Sequence, residues 1–131
     1  MSRQRDAELD RLRSARESAY QQKQAAWQDQ QAAWEAYMSV KRTNGPRIEI
    51  LNDQQEQAYQ EMKSAFESAS LAHDMRDDAS ARMYANQGHD FKARSQTFAA
   101  ERRQLVSEIR AARERFEGVK STFQAAKDEF A

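Results

Sequence analysis

The sequence predicts an all-α fold, an elongated antiparallel three-helix bundle or coiled coil. Three observations carry this expectation. The 131 residues include three Gly and one Pro, so the chain has few places to turn, and it is rich in Ala, Gln, Glu and Arg. Pairs of a small and a large flat residue recur every seven positions: Ala19-Tyr20, Ala26-Trp27, Ala33-Trp34, then Ala58-Tyr59, Ala65-Phe66 and Ala72-His73. Finally, alternating spacings of three and four link Tyr84, Gly88, Phe91, Ser95, Phe98, Arg102, Leu105, Ile109, Ala112, Phe116, Val119, Phe123, Ala126 and Phe130. That last pattern is a heptad seam.

The first helix is expected over about 3–43. Its Ala–aromatic pairs form a stripe along one face, with rings filling the room that the alanines leave. Thr43-Asn44-Gly45-Pro46 reads as a stop and a restart, because Gly suits the residue after a helix end and Pro suits the first turn of the next helix. The second helix then covers 47–76. Arg76-Asp77-Asp78-Ala79-Ser80 is the second break, with an Asp placed to accept from the unpaired N–H groups of a third helix.

The third helix is expected over 79–117, with 119–130 either continuing it or folding back as a short fourth helix after Gly118. The unbroken spacing favours continuation, at about 1 kcal/mol for Gly in a helix interior. At ~1.5 Å per residue the helices measure roughly 60, 45 and 75 Å. The third overshoots the second by roughly twenty residues. That overhang carries Phe116, Val119, Phe123 and Phe130, so a protein interface is expected there, as a homodimer or with another protein through the C-terminal helix. The whole chain, 1–131, reads as a single helical domain.

Folding about residues 77–78 sets Phe66 near Gly88, Tyr59 near Ser95 and Ile48 near Ile109. It also brings Arg102, a charge on the apolar seam, near Asp53 and Glu56 as partners. Folding about Gly45 sets Trp34 near Gln55, Trp27 near Met62 and Tyr20 near Ala69.

Net charge is zero, with 21 basic and 21 acidic residues, but its distribution is uneven. Residues 48–78 hold eight acids and two bases, and residues 92–115 hold seven bases and three acids. Packed neighbours that neutralise each other explain this most simply. The rival is a basic strip open to nucleic acid, carried by Lys92, Arg94, Arg103, Arg110 and Arg113.

The sequence offers little catalytic chemistry. It has no Cys, hence no thiolate nucleophile and no thiolate metal site. Its Gly residues are isolated at 45, 88 and 118, so no phosphate-cradling loop forms, and Gly-x-Ser-x-Gly is absent. His73-Asp74 and His89-Asp90 have the composition of a metal site, but the register separates the two His by about two turns. Neither cofactor nor metal nor small-molecule substrate is expected, and the chain reads as a non-enzyme. No apolar run reaches the ~20 residues of a membrane span, and the start lacks the apolar core of a secretory signal, so a cytoplasmic setting is expected.

The stretch Ala69-x-x-Ala72-His73-x-x-Arg76-Asp77-x-x-x-Ala81-x-x-Tyr84-Ala85-x-x-Gly88 resembles the small helical domain of unknown function that precedes Smr-type endonuclease domains. Ala69, Ala72, Asp77, Ala81 and Gly88 match that family's pattern at the same spacing. His73 stands for its Tyr, Arg76 for its Gly, Tyr84 for its Leu and Ala85 for its Ser. The resemblance covers roughly residues 60–113. It implies an αα-hairpin with Asp77 at the turn and a nucleic-acid neighbourhood, and it implies no catalytic residue. The expected function is a helical scaffold or adaptor that associates with protein, with an accessory nucleic-acid-binding module as the alternative.

Overall fold

The computed structural model describes residues 2–129, which form an antiparallel hairpin of two long helices. Helix α1 runs over Ser2–Asp74 and α2 over Asp78–Glu129. No strand occurs among the described residues.

The turn is built as the sequence suggests. The N–H of Asp77 donates to Ala72 O (2.9 Å) and that of Arg76 to His73 O (3.0 Å), the paired bonds of a Schellman end. Arg76 carries the left-handed backbone, φ 58°, that this end requires. The Asp77 carboxylate then accepts from the N–H of Ser80 (3.1 Å), capping α2 three residues in.

The expected break at residues 43–46 does not form, and the three-helix arrangement gives way to two helices. Pro46 lies inside α1. It brings no N–H to the helix and costs about 3 kcal/mol there. Contacts to α2 on either side of it hold the helix through. Before it, Asn44 is buried and donates to Leu105 O (3.2 Å) and Glu108 Oε2 (2.8 Å). After it, Arg47 pairs with Glu101 at 3.1 Å, and Leu51 is fully buried. The tryptophan–second-helix pairings that folding about Gly45 would have made are therefore absent. The helix also runs straight through Gly118, and no fourth helix occurs among the described residues.

The contacts gather into two compact units, Lys41–Ile109 and Met1–Val40 with Arg110–Ala131. In the Lys41–Ile109 unit, Asn44, Leu51, Ala58, Ala65 and Ala72 form a buried column with one member every seven residues. Across from it, Tyr84, Gly88, Phe91, Ser95, Phe98, Arg102, Leu105 and Ile109 are buried or half-buried. Phe66 meets Gly88 as expected: a Cβ added there would stand 2.7 Å from its ring. Arg102 does not pair with Asp53 or Glu56, and its Nε is buried without a hydrogen-bond partner. Asp53 and Glu56 are both exposed, whereas Gln54 and Gln55 between them are half-buried, so the acids stand off the face that meets the Arg102 seam.

In the other unit, Ala112, Phe116, Val119, Phe123 and Ala126 of α2 are half-buried against α1, where Ala33 is buried and Ala19 and Ala26 half-buried. Phe116 meets Trp34, with ring centroids 5.0 Å apart. The α2 segment from Phe116 to Phe123 thus finds its cover on α1 residues 20–34 of the same unit. Phe130 lies outside the described residues.

Candidate interaction surface

The alanines and the rings divide the work differently from expectation. Alanines make the seam, and the rings stand on its shoulder. One residue further along a helix is a rotation of about 100°, so an Ala and the ring that follows it cannot both face the seam's centre. Tyr20 is 62% exposed, Trp27 50% and Trp34 43%, whereas Ala33 is 6% exposed. In the Lys41–Ile109 unit Tyr59 is likewise exposed, with Lys63 Nζ 5.5 Å from its ring centre.

Two of the exposed rings frame a groove. Tyr20, Lys23, Gln24 and Trp27 of α1 and Phe123 of α2 line a hollow of about 320 Å³. Gln24 Nε2 donates to the Tyr20 hydroxyl (2.8 Å), which fixes that wall. Three of its five lining residues are aromatic, with one cation and no acid among them. A larger, shallower furrow of about 620 Å³ runs along Gln22, Ala25, Ala26, Asp29, Arg115, Gly118, Val119 and Thr122, where small residues leave room.

Residues 3–18 are exposed on every face. Among them Leu9 and Leu12 extend the seam rhythm of Ala19, Ala26 and Ala33, and they are 49% and 64% exposed. Glu129, the last described residue of α2, lies roughly level with residue 21 of α1. The sequence carries this signal in the 9–12–16–19 spacing.

Of the expected interface residues, Phe123 opens onto the groove, Val119 lines the furrow, and Phe116 is taken up by Trp34. The basic candidates Lys92, Arg94, Arg103, Arg110 and Arg113 are all exposed, with Arg94 over the Phe91 ring at 5.6 Å. The two His do not meet. His89 stacks edge-on against Phe66 (5.3 Å), while His73 lies by Ala81 and Arg82 near the turn. Among the described residues no three His, Cys, Asp or Glu side chains gather as a metal site would need, and no helix is long and apolar enough to cross a membrane. Asp77 titrates below the ordinary aspartate range, held there by its hydrogen bonds from Ser80, so its shift belongs to the cap and not to a reactive site.

No family model, curated protein or solved structure matches this chain.

Proposed function

We propose that the protein is a non-enzymatic helical scaffold that associates with protein, a second copy of itself first among its partners. The observation that carries this reading is the ridge of Tyr20, Trp27 and Trp34, beside the groove at Phe123 and the bare Leu9 and Leu12. Large apolar groups gathered along one stretch of surface mark association sites, whereas scattered ones do not. Trp and Tyr are also the residues that most often anchor such sites.

The ridge supplies its own reporter. The chain has two Trp, and both stand on it. Over a dilution series from about 100 µM downward, association should move the Trp emission to shorter wavelength in step with the mass measured by sedimentation equilibrium. A mass that rises while the emission stays fixed would place the association elsewhere. A constant monomer mass would remove self-association from the proposal.

The second reading, a nucleic-acid-binding module, rests on the exposure of Lys92, Arg94, Arg103, Arg110 and Arg113 together with the resemblance over residues 69–88. Binding led by phosphate contacts must weaken steeply with salt. Replacing Arg103, Arg110 and Arg113 together by Gln should lower both affinity and salt slope. No binding by the unaltered chain to single- or double-stranded DNA or RNA at low salt would end this reading.

A further inference from the structure

We infer that two copies join about a two-fold axis, each seating Leu9 and Leu12 of its exposed α1 start in the other's aromatic groove. The inference rests on the association reading and goes further by naming both the occupant and the cradle. Four observations lead to it.

The first is that occupant and cradle cannot meet within one chain. Leu9 lies about fifteen residues, or roughly 22 Å, from the middle of the groove along the same unbroken helix. Leu9 therefore enters the groove only in trans. The second is that they face the same way. Leu9 precedes Lys23 by two heptads and shares its column along α1, and Lys23 lines the groove. Two α1 helices laid antiparallel thus present leucines to groove on both sides of the axis.

The third observation is charge. Leu9 sits among Asp6, Glu8 and Asp10, a stretch with three acids and no base, while Lys23 is the one charged residue of the groove's lining. Setting Leu9 level with Gln24, the middle of the groove, fixes every other level of the antiparallel pair. Asp10 then lies level with Lys23 of the second copy, Arg16 with Glu17 and Arg13 with the Tyr20 ring. Arg3, Arg5 and Arg11 lie level with Gln30, Gln28 and Gln22. No like charges oppose. The alignment was set by the leucine alone, so this complementarity is an independent agreement. The fourth is closure. A two-fold axis uses each groove and each leucine pair once per copy, so the assembly stops at two and does not grow into a filament.

The cysteine-free sequence permits a direct test. One chain carries Leu9→Cys and a second carries Gln24→Cys, and oxidation follows with each alone and with the two mixed. A disulfide needs Cβ atoms about 4 Å apart. In the inferred pair Leu9 faces Gln24, whereas the two Leu9 residues, and likewise the two Gln24 residues, stand roughly 22 Å apart. Disulfide-linked dimer should therefore form in the mixture and not in either chain alone. In parallel, Leu9→Glu with Leu12→Glu should weaken the dimer at least tenfold by sedimentation equilibrium. Its helix signal should be unchanged, since both side chains are exposed in the single chain.

Linkage of the Leu9→Cys chain with itself would show the two Leu9 segments pairing with each other and would overturn the inference. No linkage from a protein that still sediments as a dimer would overturn the inference and leave the association reading standing. No linkage from a protein that stays monomeric to about 200 µM would overturn the inference and remove self-association too.

Discussion

At Arg76 the chain asks an unfavourable backbone of an ordinary residue. A left-handed conformation costs a side-chain-bearing residue on the order of 1–2 kcal/mol, a penalty that Gly escapes. Arg76→Gly should raise stability by about 1 kcal/mol, read as a higher melting temperature; an unchanged or lower value would mean that the Arg side chain returns as much as its backbone costs. The next residue makes a pH-dependent contribution. The Asp77 carboxylate is held below its ordinary range by its bonds from Ser80, so its ionised form favours the folded state. That contribution is complete above the unfolded value, about pH 4, and is lost as the pH falls through the lower folded value. Asp77→Asn keeps an acceptor without that titration. Melting curves between pH 2.5 and 7 should show the variant losing less stability toward acid than the parent, and parallel profiles would remove the cap from the acid response. At Gly88 the fit is steric. Even a methyl group would stand 2.7 Å from Phe66, so Gly88→Leu should cost about 1–3 kcal/mol, and an unaltered melting temperature would mean that the ring swings clear.

At the level of the helices, the clearest disagreement between pattern and structure falls on Gly45-Pro46. Local chemistry there says stop. The surrounding seam, through Asn44, Arg47 and Leu51, says continue, and long-range burial wins over a single proline. Pro46→Ala should therefore stabilise the chain by up to about 3 kcal/mol at unchanged helix content. A gain in helix signal on substitution would show that the helix is in fact interrupted there in solution. Much of the rest was readable. The α2 seam is buried or half-buried at every described position from Tyr84 to Ala126, because a three-four spacing has one geometric meaning in a helix. The turn was readable from Asp77 and Ser80. The ring positions were harder: composition marks Trp27 as apolar, and only the phase of the neighbouring Ala tells that it stands beside the seam. The pairing of Arg102 was harder to read because a match of cross-helix levels does not tell which side of α1 an acid stands on, and Asp53 and Glu56 stand on its exposed side.

The molecule as a whole has bare leucines at one end of α1 and an aromatic groove a few turns along it, so its stability should depend on its concentration. Anything that binds the folded chain alone stabilises it by mass action, and a second copy counts as such a ligand. Melting temperature should thus rise across a hundredfold increase in concentration, and the Leu9→Glu, Leu12→Glu chain should lose that rise. Concentration-independent melting of the parent would argue against a folded-state dimer. The turn at residues 75–77 has a consequence for time as well. Each cross-helix pair further from it encloses a longer stretch of chain, 21 residues between Phe66 and Gly88 but 63 between Asn44 and Glu108. Closing the shorter loop loses less entropy, so the hairpin should zip outward from the turn. Contacts near the turn would then be formed early, in the transition state, and those near residue 44 late. Arg76→Gly should consequently quicken refolding and hardly touch unfolding, while Asn44→Ala should do the reverse and let the chain open sooner.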